Sequence, residues 1–288
     1  MKLSDIYKSS NLVVSYEIFP PKDDENGEKL NKLYSELELL KKYNPSLVSV
    51  TYGAGGSNRN LSLNIISHIY NEIKLNVMPH FTCICSKKED IEAYLKEIQK
   101  FNIENILALR GDEPKNNTVC YRDFSYANEL VEFIKANTDL SVAVAGYPEG
   151  HIDAPDLDTD IKNLKRKLNA GGEVIFTQMC FDNDKFFEYA DKLNKSSITV
   201  PIAFGVLPVL SFKQFEKMMS MASVSIPKKL SEGLDKFKDN PDDVKKLGID
   251  FATEQCQKLI ESELVSGIHF YTLNKSYSTS KILDNLGL

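Results

Sequence analysis

No uncharged apolar run in this chain is longer than a strand, so none has the length needed to cross a bilayer. The first ten residues, MKLSDIYKSS, lack the apolar core of a signal segment, and the expected location is cytoplasmic. Lysine and arginine form no cluster, and the net charge is -6 with a pI of about 5.4, which argues against a nucleic-acid surface. There are only 4 histidines, with no H-x-H or H-x-x-x-H pair, so no metal site is expected. The 5 cysteines (Cys83, Cys85, Cys120, Cys180 and Cys256) are odd in number and contain no C-x-x-C, which argues against a disulfide framework or a zinc site. Cys83 and Cys85 are spaced to share one face of a strand. The thiols read as buried and inert, a metal or redox role being the alternative. Linkers, repeats and low-complexity stretches are absent too.

What is present is a chain of 288 residues, 42% hydrophobic and 26% charged, enough for a sizeable core. Short apolar runs rich in β-branched and aromatic residues fall at 13–20, 46–53, 75–83, 105–112, 141–148, 173–180, 201–209 and 267–274. Helical periodicity fills the gaps at 28–42, 59–73, 88–101, 125–137, 156–170, 183–194, 211–222 and 247–265. An Asp- and Lys-rich segment at 226–245 reads as an extra surface helix plus loop, and 276–286 as a last short helix. Eight strands, each followed by a helix, predict a single-domain (β/α)8 barrel; an open sheet with a small second domain is the rival.

The strands carry a parity. Ser15 and Glu17 share one face of VVSYEIFPPK, Ser49 and Thr51 one face of the second strand, Met78, His80 and Thr82 one face of the third, and Phe176 and Gln178 one face of the sixth. In a barrel one such face lines the interior, and the active site forms at the C-terminal strand ends. Glu17, Thr51, His80, Arg110, Asp112, Tyr147, Gln178 and Asn274 all fall there. A carboxylate inside an apolar strand is costly unless something compensates it, and Glu17 is therefore the first candidate.

Each constellation also has a plainer reading. In LALRGDEP, alternation aims Arg110 and Asp112 the same way, either at a ligand approaching Gly111 or as a structural ion pair at a strand exit. His80 is a base, a ligand or simply a hydrogen-bonded strand histidine. YGAGGSNR lacks the G-x-G-x-x-G spacing of a dinucleotide fold and is a phosphate cradle or only a turn. In DIKNLKRK, Asp160, Asn163 and Lys167 share a helix face with Arg166 nearby, either solvated or reaching an anionic ligand over the barrel mouth.

The segments SYEIFPPK, VSVTYGAGG, PHFTC, ILALRGD, YPEGH, DIKNLKRKLNAGG, FTQMCFD, GVLPVLSFKQ and HFYTLN, in this order from residue 13 to residue 274, resemble the methylenetetrahydrofolate reductase family. The resemblance implies a (β/α)8 barrel that binds FAD without a Rossmann motif. It implies reduction of 5,10-methylenetetrahydrofolate to 5-methyltetrahydrofolate, with NADH (or NADPH) reducing the flavin first at the same site. Opening the methylene bridge requires a proton on N10, and Glu17 matches the general acid; an apolar setting favours the protonated form of a carboxyl group. Asp112 matches a carboxylate beside flavin and pterin. Thr51, Tyr52, Ala54, His80, Arg110, Gly111, Ala127, Tyr147, His151, Ala154, Asp160, Asn163, Arg166 and Lys167 match cofactor positions. Gln178, Gln214 and Lys275 match substrate contacts.

There are departures. Bacterial relatives often read HFYTLNR where this chain has HFYTLNK, so Lys275 keeps the charge without the bidentate fork. Met218 stands where some relatives carry a phenylalanine that packs on both substrates. These departures keep open a protein electron donor in place of NADH; a noncatalytic folate- or pterin-binding barrel is a third reading. The resemblance implies a homo-oligomer. The 288 residues cover a catalytic barrel only, so inhibition through the S-adenosylmethionine-binding domain of eukaryotic relatives is not expected.

Overall fold

The computed structural model describes residues 1–22, 24, 26–52, 59–113, 120–219 and 224–288, the side chains of 217–219 excepted. Among them, strands β1 (Val13–Ile18), β2 (Leu47–Val50), β3 (Val77–Thr82), β4 (Asn105–Leu109), β5 (Ser141–Gly146), β6 (Val174–Met179), β7 (Ile202–Val206) and β8 (Gly267–Tyr271) pair in chain order, all parallel. Pairing of β1 with β8 closes the barrel, setting Ser15 beside His269 and Glu17 beside Tyr271. The (β/α)8 expectation holds, and the open-sheet rival falls.

The helices are α1 (Leu3–Ser9), α2 (Glu28–Lys41), α3 (Arg59–His68, running on as a π turn Ile69–Ile73), α4 (Lys88–Lys100), α5 (Ala127–Asn137), α6 (Leu157–Asn169), α7 (Asn183–Lys195), α8 (Phe212–Met219), α9 (Lys228–Phe237), α10 (Pro241–Glu261) and α11 (Tyr277–Leu286). The extra helix expected near 226–245 is α9. It ends early because Asn240 accepts from the backbone N–H groups of Asp242 and Asp243 and Pro241 takes the first helical position, so α10 starts there.

Alternation sorts the side chains. Tyr16, Ile18, Val48, Val50, Phe81, Ile106, Val144, Phe204 and Phe270 point outward and bury themselves under the helices. Val13, Leu47, Met78, Leu107, Ala143, Val174, Phe176 and Ala203 point inward. Helix α1, which periodicity did not reveal, plugs the N-terminal end: Leu3 and Ile6 lie on that inner layer. Asn105 holds the plug, accepting from the Leu3 N–H at 2.8 Å and donating to Met1 O at 2.9 Å. A satellite cluster of Phe181, Leu207, Val209, Leu230, Leu234 and Val244 seats α9 and α10 beyond β7.

The cysteine expectation needs correction. Cys85 and Cys120 form a disulfide, joining residues 35 apart in sequence. Nor do Cys83 and Cys85 share a strand face, because β3 ends at Thr82 and Cys85 has φ 57. An odd count leaves room for one bridge between two loops, which spacing does not reveal. Cys83, Cys180 and Cys256 are free and buried, as expected; burial pushes Cys83 up to about 11 and Cys180 up to about 12.

Candidate active site

Glu17 stands on the inward face of β1, near the C-terminal end of the barrel. Two histidines flank it. His80 Nε2 of β3 lies 3.7 Å and His269 Nε2 of β8 lies 3.9 Å from Glu17 Oε2. The Glu17 side chain keeps 19% of its surface exposed, while the two imidazoles are buried. Ser15, one inward position below, hydrogen-bonds His269 Nδ1 at 2.8 Å, which turns Nε2 toward Glu17. Burial lowers the His80 pKa to about 4 against the pull of Glu17, so His80 is neutral at pH 7. Its Nε2 and the Ser49 hydroxyl are buried without a hydrogen-bond partner among the described residues. Two such orphans in one layer are costly unless water or a ligand completes them.

Tyr271 closes the β8 side, its hydroxyl donating to Thr177 O at 2.9 Å. Gly205 makes room for that ring: a Cβ there would meet Thr177 O at 2.6 Å and Tyr271 Cε2 at 2.8 Å. The pairing of β6 with β7 shifts register here, and the Thr177 hydroxyl accepts from the Gly205 N–H at 2.8 Å.

Beside this cluster a cavity of about 540 Å³ opens between the ends of β4 and β5 and helices α5 and α6. Arg110, Ala127, Tyr147, His151, Ala154, Asp160, Asn163, Arg166 and Lys167 all line it, so these expected cofactor positions do converge. Asp156 caps α6 by accepting from the Thr159 N–H at 2.7 Å, and the helix then presents Asp160, Asn163 and Lys167 on one face. Lys167 donates to Ala145 O at 2.6 Å. Burial pushes the Lys167 pKa down to about 8, Asp160 pulling the other way, and burial raises the pKa of Asp160 itself. Tyr147 is pushed up to about 12, first by burial and then by Asp160 and Asp112. A desolvated ammonium in one cavity with Arg166, Arg110 and His151 suits an anionic diphosphate.

Other candidates lie elsewhere. Thr51 follows β2, its N–H donating to Ile18 O at 3.0 Å. The Tyr52 ring packs on Phe81 and Tyr94. Ala54, like the rest of 53–58, and the Met218 side chain lie outside the described residues. Arg110 and Asp112 do not pair: β4 ends at Leu109, Gly111 takes φ +87, and Arg110 instead bonds Asp153 at 2.6 Å. Asp112 is exposed on the rim. Asn274 clamps β1, donating to Phe19 O at 2.7 Å and accepting from the Phe19 N–H at 3.0 Å. Gln178 accepts from the Met179 N–H at 2.9 Å. Gln214 and Lys275 line a second cavity, of about 890 Å³, bounded by the start of α8 with α10 and α11. Sequence reasoning passed over His269 and Tyr271, although their parity on β8 already placed them on one face.

The methylenetetrahydrofolate reductase family model matches residues 2–287. The chain belongs to this family. It is 34% identical to the 5,10-methylenetetrahydrofolate reductase of Escherichia coli (strain K12), over 96% of this chain and 90% of that one. It is 35% identical to methylenetetrahydrofolate reductase (NADH) 1 of Arabidopsis thaliana, over 100% of this chain and 50% of that one. The chain thus spans about half the length of the plant and fission-yeast methylenetetrahydrofolate reductases it matches, and about nine-tenths of the bacterial ones. Among solved structures, an uncharacterized protein from Clostridium thermocellum that binds two copies of 5-methyl-5,6,7,8-tetrahydrofolic acid shares the fold at TM-score 0.64 and 14% identity, over 99% of this chain and 97% of that one.

Proposed function

We propose that this chain reduces 5,10-methylenetetrahydrofolate to 5-methyltetrahydrofolate, with FAD seated over the basic cavity and NADH, or NADPH, as electron source. The observation that carries the reading is the join of two features: a carboxyl group between two imidazoles at the barrel mouth, and beside it a cavity edged by Arg110, Arg166 and Lys167. Family membership supports it, and so does the name of the Escherichia coli relative. Bound FAD would supply the two-electron carrier, accepting a hydride from the nicotinamide and passing one to the folate.

The chain's own residues do the rest. The methylene bridge opens only when N10 takes a proton, leaving a 5-iminium cation that accepts hydride. Glu17 is the acid that delivers this proton. Neutral His80 adds no competing positive charge beside it, and the Ser15–His269 pair fixes the second imidazole toward the same carboxyl group. Asp112 stabilises the cation by its charge, and Arg166 with Lys167 neutralises the diphosphate. Asp112→Asn should slow folate reduction more than it weakens flavin binding.

The test is an absorbance spectrum of the purified chain reconstituted with FAD. NADH should bleach the flavin and methylenetetrahydrofolate should restore its colour. A protein that binds no flavin would defeat the reading. Flavin that NADH leaves yellow but dithionite-reduced protein reoxidises with folate would assign the electrons to a partner protein instead.

A further inference from the structure

Two parts of the wall of the basic cavity are joined by one covalent bond. The first part is the exit of β4. The chain leaving β3 adds two rungs to its ladder with β4: the Cys83 N–H donates to Leu109 O at 3.1 Å and the Ile84 N–H to Arg110 O at 2.9 Å. Ile84 then packs on Gly111 so closely that a Cβ there would meet its Cγ2 at 2.6 Å. The next residue is Cys85. The second part is the start of α5, where Tyr126, Ala127 and Asn128 line the cavity together with Arg110. Cys120 stands six residues before Tyr126, and the Cys85–Cys120 bridge ties the two parts together.

The other ties between them are weak. The Asp123 N–H donates to Ser86 O at 3.3 Å, and the Lys88 N–H donates to Asp123 Oδ2 at 2.8 Å. Lys87 lies over the Tyr121 ring at 5.3 Å. Of residues 121–126 only Phe124 is buried, and the Ser125 and Tyr126 N–H groups bond Glu129 of their own helix. Exposed hydrogen bonds of this kind open readily once a covalent tie is gone. The bridge is also the reachable sulfur pair. Cys85 and Cys120 are half-buried at the open end of the barrel, whereas Cys83, Cys180 and Cys256 are buried. Access of this kind separates a bridge that thiols can open from an inert one.

We infer that Cys85–Cys120 is a redox-modification site: a small dithiol opens the bridge, and opening it loosens the cavity wall and weakens FAD binding. The inference rests on the flavin reading above. A thiolate of the dithiol attacks one bridge sulfur, the S–S bond breaks, and the departing cysteine thiolate takes a proton. The second thiol of the dithiol then displaces the other cysteine. Two electrons pass to the bridge, the two thiol protons end on Cys85 and Cys120, and the dithiol leaves as a cyclic disulfide. A loosened wall has to be ordered again whenever FAD binds. For Tyr126 and its neighbours this amounts to about a tenfold loss of affinity.

The experiment titrates the flavin-free chain with FAD under anaerobic conditions, read by flavin fluorescence, before and after dithiothreitol. The Kd should rise about tenfold on reduction and return on reoxidation with diamide. In Cys85→Ser and in Cys120→Ser it should sit at the reduced value whether or not dithiothreitol is present. Hydrogen exchange of the flavin-free chain supplies a readout on the protein itself: at the shortest exchange times, amides of residues 121–128 should exchange about tenfold faster after reduction. Equal FAD affinity of the oxidised and reduced chains would overturn the site, and so would a dithiothreitol response that persists in both serine variants. A chain that binds no flavin in either state would defeat the proposed function. In that chain, unchanged exchange would overturn the redox site as well, and faster exchange would support the bridge as the tie on this wall.

Discussion

At the N-terminal end of the barrel the interior is shut. Leu3 and Ile6 of α1 press on Val13, Leu47, Met78 and Ala203, and every one of these is buried. At the C-terminal end the same inward parity delivers Ser49, His80, His269 and Glu17, two of them with buried polar atoms that find no partner among the described residues. The strands are continuous from one end to the other, so the contrast comes from side chains alone. One end is finished by packing; the other is left for something to complete. Stability and activity should therefore fail separately, depending on which end is altered.

The sharpest separation should come from Glu17→Gln. Glutamine keeps the shape and has no acidic proton to give. Stopped-flow folate reduction should slow by about 10²–10⁴-fold, while flavin reduction by NADH stays within a few fold and the unfolding midpoint hardly moves. Folate reduction at the normal rate would remove Glu17 from the chemistry.

Next is the Cys85–Cys120 bridge, which ties the segment after β3 to the one before α5 at the open end. Closing a loop of 35 residues restricts the unfolded chain by about 3–4 kcal/mol. Denaturant unfolding with and without a thiol reductant should show a loss of that order, and Cys85→Ser should show the same loss without reductant. A reductant effect that persists in Cys85→Ser would assign it elsewhere.

At the shut end, Leu3→Ala should cost about 3 kcal/mol, because the cavity it leaves faces a close-packed layer. The folded fraction should turn over at the unaltered rate, in contrast to Glu17→Gln. A change in kcat with unchanged stability would contradict the division between the two ends.

Much of this contrast was legible before any coordinates. Strand parity placed Ser15, Glu17 and His80 on inward faces, and the helical spacing of Asp160, Asn163 and Lys167 placed them on one face. Both are local periodicities, and local periodicity is written in the sequence. What stayed hidden is non-local. Helix α1 has seven residues and two apolar anchors, and only the barrel floor makes it worth folding. Arg110 takes its partner 43 residues away rather than Asp112, because Gly111 breaks the alternation that pairing with Asp112 assumed. The disulfide likewise depends on two loops meeting, which neither spacing nor count encodes.

The smallest effect should be a pH dependence set at the open end. His80 has its pKa lowered from 6.5 to about 4, by burial first, with Glu17 opposing and His269 adding to the depression. Glu17 and His269 are the titratable groups that face it. Between these two values the unfolded chain binds the proton and the folded chain does not, so lowering the pH favours unfolding. The linked loss is about 1.5 kcal/mol between pH 6.5 and pH 5 and is complete only below pH 4. Denaturant midpoints across that window should fall with acid, and in His80→Gln the part of the slope that belongs to this imidazole should vanish. An unchanged slope in the variant would mean that another group carries the acid sensitivity. It would also mean that the buried imidazole beside Glu17 is already compensated in the folded chain, which would make the open end less unfinished than its orphaned nitrogen implies.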